Sequence, residues 1–182
     1  MDCFFILGMS GLCNFLQLRK GGGTKKRKIL CYFSKILQYT MPTIKLSRVS
    51  GDYGFEASDE NGHTVRMDSS PESGGQNFGV RPMQMLLMGL GGCSAIDVIA
   101  ILKKQRQDVI DYKMVISGER EAGKEPSLWQ SITLEFHLYG TIDEDKANKA
   151  VELSLNKYCS VAATLYKADA QIKWQVIIHP AE

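Results

Sequence analysis

The sequence predicts an α+β domain in the order β-β-β-α-β-β-α-β, and three observations predict it. Period-two alternation marks six short segments. The clearest is Ser131 to Tyr139, with Ile132, Leu134, Phe136 and Leu138 facing one way and Thr133, Glu135, His137 and Tyr139 the other. One stretch, Met83 to Leu102, is apolar on every side and reads as a long, fully buried central helix. A second helical pattern precedes the last strand. A sheet wrapping around helices is the arrangement that such an order favours.

The elements follow in turn from Met41, where Met41-Pro42-Thr43-Ile44-Lys45-Leu46 opens a strand pattern. Tyr53 to Ala57 and His63 to Met67 continue it after Gly51-Asp52 and Asn61-Gly62, the second a strong hairpin-turn signal. Ser69 to Gly79, with its Ser, Gly and Pro, reads as a loop, and Pro82 suits the first turn of a helix. Within that helix, Gly89, Gly91 and Gly92 suggest a close approach by another backbone, because each costs about 1 kcal/mol of helix propensity. Tyr112 to Ser117 and Ser131 to Tyr139 are the next strands. Asp143 looks like an N-cap, with Glu144 and Asp145 favourable in the first turn. The helix it starts buries Ala147, Ala150, Val151 and Leu155, arrives at Cys159 and stops near Asp169. Ile172, Trp174, Val176 and Ile178 form the final strand.

At 182 residues the chain fits one domain plus an appendage. Its net charge of +2 hides an asymmetry, because Arg19, Lys20, Lys25, Lys26, Arg27, Lys28 and Lys35 face only Asp2 within residues 1–40. The body from 41 to 182 is mildly acidic and gives no electrostatic reason to bind nucleic acid. Cys3 to Leu18 is apolar, but it follows Met-Asp and lacks the basic start and small-residue cleavage site of a secretory signal. An apolar stretch beside Lys25-Lys26-Arg27-Lys28 suits an anionic lipid surface, yet its roughly 16 residues fall short of the roughly 20 that span a bilayer. Residues 1–40 are therefore expected to be a disordered extension or the product of a misassigned start, with translation beginning at Met41. On that reading Cys3, Cys13 and Cys31 carry no function. Nor does the central helix suit a membrane, since Asp97 near its middle would cost about 2.5–3.5 kcal/mol on insertion.

Chemistry is expected at Cys93, in Gly91-Gly92-Cys93-Ser94-Ala95-Ile96-Asp97-Val98, and at Cys159, in Lys157-Tyr158-Cys159-Ser160-Val161-Ala162-Ala163. A lone cysteine usually packs as a small hydrophobe. Two in similar apolar helical settings, each followed by serine, form a pattern. Their separation fits neither a Cys-x-x-Cys redox motif nor a zinc site, so any partnership must come from tertiary packing of two helices. No metal or nucleotide motif accompanies them. His63, His137 and His179 read as surface residues, without the geometry of a Ser-His-Asp site.

The element order, Pro82 to Val98 and Lys157 to Ala162 together resemble the OsmC/Ohr family, the osmotically inducible and organic hydroperoxide resistance proteins, over Met41 to the C-terminus. The resemblance is nearest to an OsmC-like subgroup of small bacterial proteins. It implies an intertwined homodimer with two active sites at the interface, and thiol-dependent reduction of organic hydroperoxides at the expense of a dithiol reductant. It implies no cofactor. Cys93 would attack the peroxide and Cys159 would resolve the sulfenic acid as a disulfide, transient in a reducing cytoplasm.

The hydroperoxidase branch supplies an arginine from the first hairpin and a glutamate at the start of the long helix. Here Gly51-Asp52-Tyr53-Gly54 has no arginine, and Met83 and Gln84 stand where the acid is expected. Arg81 is the best remaining cation and Gln84 occupies the place of the acid. On a straight helix Arg81 lies about 18 Å from Cys93, so it could serve only the other subunit's thiol. Arg48 and Arg66 are the alternatives. Asp97, one turn after Cys93, would oppose thiolate formation if it were unpaired. Two functions follow: a thiol peroxidase using Cys93 and Cys159, or a non-catalytic dimer that binds an apolar ligand or senses redox state.

Overall fold

The computed structural model describes residues 42–180. The expectations for residues 1–40, an extension or a misassigned start, lie outside the described residues. Strands β1 (Lys45–Ser50), β2 (Gly54–Ser58) and β3 (Thr64–Met67) form one antiparallel sheet in the order β1-β2-β3. A loop with a 3-10 turn at Pro71–Ser73 leads into helix α1 (Pro82–Lys104). Strands β4 (Asp108–Arg120), β5 (Trp129–Thr141) and β6 (Gln171–His179) form the second sheet. There β4 pairs antiparallel with β5, and β5 pairs parallel with β6. Between β5 and β6 run α2 (Glu144–Leu153), a π-helical turn (Ser154–Tyr158) and α3 (Ser160–Lys167).

The expected α+β order is therefore present. The core lies between the second sheet and the helices: Ile132, Leu134, Phe136 and Leu138 of β5 are buried against Leu90, Val98 and Leu102 of α1 and against Ala147, Ala150, Val151 and Leu155. Asp143 is the N-cap of α2, and its side chain accepts a hydrogen bond from the Lys146 N–H at 2.9 Å.

Four local expectations need correction. The hairpin at Asn61-Gly62 is wider than a two-residue turn, because the Asp59 side chain accepts from the N–H groups of both Asn61 and His63, at 2.9 Å each, and rebuilds the loop around itself. The second long helix is not continuous. It turns π-helical at Ser154 and breaks at Cys159, whose backbone is extended (φ −70°, ψ 105°). Of the three glycines in α1, among the described residues only Gly91 faces a neighbour, and it is a side chain rather than a backbone: a Cβ there would lie 2.6 Å from Ile116, while Gly89 and Gly92 meet nothing within 4 Å.

Finally, α1 is buried on one face only. Leu90, Gly91, Ser94, Val98 and Leu102 are covered, whereas Leu86, Met88 and Ile96 stand 43, 55 and 72 % exposed. The second sheet covers one side of the helix, and among the described residues nothing covers the other. By length and composition α1 could cross a membrane, but its covered face is a packing surface of this domain.

Candidate active site

Cys93 lies on α1, half-buried, one residue before the fully buried Ser94. Cys159 is 2 % exposed and sits at the break between the π turn and α3. The break gives the sulfur a second task, because Cys159 Sγ accepts from the Ala162 N–H at 3.4 Å and thereby caps α3. The two thiols are neighbours. Burial pushes the Cys159 thiol up to about 11, and a side-chain hydrogen bond with Cys93 adds to the rise. At neutral pH the Cys159 thiol is therefore protonated.

Asp97 is not unpaired. The Ser154 hydroxyl lies 3.3 Å from Asp97 Oδ2 and 3.4 Å from the Ser94 carbonyl oxygen, so the carboxylate one turn from Cys93 has a donor. The same Ser154 accepts the Cys159 N–H at its carbonyl, at 2.8 Å. These contacts hold the start of the π turn to α1 beside the thiols. Sequence reading missed Ser154.

The other predicted site residues lie elsewhere. Arg81 and Gln84 open α1, where the Gln84 side chain accepts from the Arg81 N–H at 3.0 Å and acts as a helix cap. Both line a cavity of about 370 Å³ with Asp68, Arg120 and Trp129, and Cys93 is not among its lining residues. One chain therefore does not bring Arg81 or Gln84 to its own thiol pair. Arg66 is taken up at the surface by Glu56 at 3.4 Å and by the Phe78 ring at 5.1 Å, and Arg48 is exposed on β1.

Asp68 anchors the loop before α1, its buried carboxylate accepting from the N–H groups of Ser69, Gln76 and Phe78 at 2.7, 2.8 and 2.9 Å. Those bonds, that to Phe78 foremost, hold it below the usual carboxylate range. A second, apolar cavity of about 150 Å³ lies between α1 and α3, lined by Met83, Leu86, Leu128, Trp129, Val161 and Leu165 among others. The histidines lie apart from both cysteines. His63 is exposed beside Asp59, and His137 and His179 contact each other on the second sheet, with ring nitrogens 3.3 Å apart.

Comparison with known proteins agrees with this architecture. Protein YhfA of Escherichia coli (strain K12) is 44 % identical over 115 residues, which span 63 % of this chain and 82 % of that protein. A hypothetical protein from Aquifex aeolicus VF5, known by crystal structure, is 31 % identical with a TM-score of 0.64, over 76 % of this chain and 98 % of that one. The organic hydroperoxide resistance protein OhrB of Bacillus subtilis shares the fold, with a TM-score of 0.55 at 14 % identity over 75 % of this chain and 98 % of its own. The family model described as OsmC-like protein matches residues 73–175, more than half of the sequence. Both cysteines and the helices that pair them fall inside that span, and the chain belongs to the OsmC/Ohr family.

Proposed function

We propose that the protein is a cysteine-based peroxidase that reduces organic hydroperoxides through a reversible Cys93–Cys159 disulfide. The observation that carries this reading is the thiol pair: a half-buried Cys93 beside a buried, protonated Cys159. Attack of the Cys93 thiolate on the outer peroxide oxygen breaks the O–O bond, forms the sulfenic acid and releases an alkoxide, which leaves as the alcohol once protonated. Cys159, having given up its proton, then attacks the sulfenic sulfur, and water departs as the disulfide forms. A dithiol reductant restores both thiols.

The working unit is a homodimer. Its support is the apolar surface that the described residues leave uncovered on α1 (Leu86, Met88, Ile96) and at the first sheet (Leu46 and Val65, with Ile44 just before β1). In that unit Arg81 acts, if at all, on the partner's thiol.

Consumption of an alkyl hydroperoxide with a dithiol reductant tests the proposal. Wild type should turn over, Cys93→Ser should be inert, and Cys159→Ser should consume about one equivalent before its sulfenic acid over-oxidises. Peroxide consumption by Cys93→Ser equal to wild type would sink the reading. The position of Arg81 and Gln84 away from Cys93, together with the apolar cavity beside α3, favours one alternative. In it the dimer binds an apolar ligand without turnover.

A further inference from the structure

Ser154 is fully buried and polar, and no step of the peroxidase chemistry uses it. Its hydroxyl reaches the Asp97 carboxylate at 3.3 Å and the Ser94 carbonyl at 3.4 Å, both on α1 and on either side of the turn that follows Cys93. Its own carbonyl accepts the Cys159 N–H at 2.8 Å, a bond spanning five residues that exists only because the helix has turned π. Downstream, Cys159 is held by α3, since its carbonyl accepts the Ala163 N–H at 3.0 Å and its sulfur the Ala162 N–H at 3.4 Å. Hydrogen bonds from the helix of Cys93 and from the backbone of Cys159 thus meet at one serine.

We propose that Ser154 is the positioning residue of the thiol pair, a bracket from α1 that sets the separation of Cys93 and Cys159 and so the stability of their disulfide. The proposal rests on the reading of that pair as a redox couple. The bond to Asp97 is the stronger arm, because the acceptor is charged and partly buried. A serine has one hydroxyl hydrogen, so the Ser94 carbonyl shares it. Among the described residues no other hydrogen bond joins Ser154–Tyr158 to α1, so without the bracket the π turn is held less firmly and the sulfurs spend less of their time at bonding distance. Effective concentration in an intramolecular reaction falls steeply with such loosening.

The test is thiol–disulfide equilibrium of the full chain with reduced and oxidised glutathione, read by alkylation of free thiols and peptide mass mapping of the Cys93–Cys159 disulfide. One glutathione disulfide is reduced to two thiols for each protein disulfide formed, so the constant is an effective concentration. Ser154→Ala should lower it about tenfold, with the melting point checked separately. Asp97→Ala removes the stronger arm from the other end and should lower the constant in the same direction. Asp97→Asn keeps an acceptor and should stay within about threefold of wild type. The double variant should be little worse than Ser154→Ala, since both changes break one bond. A constant unchanged in Ser154→Ala, or additive losses in the double variant, overturns the bracket. A wild type that forms no Cys93–Cys159 disulfide at any glutathione ratio overturns the redox couple itself, and the role of Ser154 with it.

Discussion

The two three-stranded sheets are built from the same alternation and end in opposite environments. In the first, register puts Leu46 beside Ala57 and Ala57 beside Val65, with Phe55 and Met67 on the same face, while Lys45, Ser47, Glu56 and Arg66 take the other. On that face, which also carries Arg48 opposite Phe55, Leu46 is 58 % and Val65 42 % exposed, while Phe55, Ala57 and Met67 are half-buried. In the second sheet the corresponding row, Leu134 and Phe136, is fully buried under the helices of the same chain. Amphipathic strands specify that a face will be covered and leave open by what. One sheet finds its cover in the described chain, and the other, with the bare side of α1, carries the apolar surface that the proposed dimer would bury.

The largest expected effect separates the sheets. Phe136→Ala should cost about 3–5 kcal/mol of unfolding free energy at any protein concentration, as deletion of a buried ring does. Val65→Lys should leave the core of the second sheet intact and convert a dimer to monomer, read by light scattering. A wild-type protein that is monomeric at high concentration, with Val65→Lys neutral, would break the comparison.

The same contrast explains what the sequence could disclose. Strands β5 and β6 and both ends of α1 were legible to within about two residues, because alternation and Pro82 are local signals. Coverage is not local, so one-sided burial of α1 was invisible. The break at Cys159 was hidden for another reason: Val151, Leu155 and Ala162 continue an apolar helical face straight through it, and cysteine is not a typical N-cap. The two cysteines could be named, but their contact is a product of tertiary packing. Ser154 did leave a trace. It falls on the buried face set by Ala147, Ala150 and Val151, a polar residue where an apolar one belongs, in a chain that also carries a carboxylate at Asp97 inside an apolar helix. A polar misfit on a buried face needs a partner, and the half-buried Asp97 is one.

A smaller effect probes the buried thiol. Cys159 rises from the ordinary 9.0 to about 11 in the folded chain, mainly through burial. The folded state thus holds its proton where the unfolded state has lost it. The stability this gives is complete below about pH 9 and is lost as pH climbs through about 11, an effect of about 2–3 kcal/mol. Denaturant titrations across that window should show the decline in wild type and a shallower one in Cys159→Ser. Equal slopes would mean that water reaches the thiol, and that the second sheet and its helices do not seal their own core.

The smallest prediction asks whether the second sheet is truly complete within one chain. Tyr112 of β4 stacks edge-on against Phe136, with ring centroids 6.4 Å apart, and burial pushes its phenol well above the usual range. Among the described residues its hydroxyl has no hydrogen-bond partner. A buried, unpartnered hydroxyl costs about 1–3 kcal/mol of desolvation, and its removal leaves the ring and its packing in place. Tyr112→Phe should therefore raise the unfolding free energy by about 1 kcal/mol, measured at several protein concentrations. A gain that is the same at every concentration fits a sheet closed by its own helices. A loss of similar size that grows on dilution would place a partner for this hydroxyl on the second subunit, and the contrast between a self-sufficient sheet and an unfinished one would give way to two sheets that both depend on the dimer.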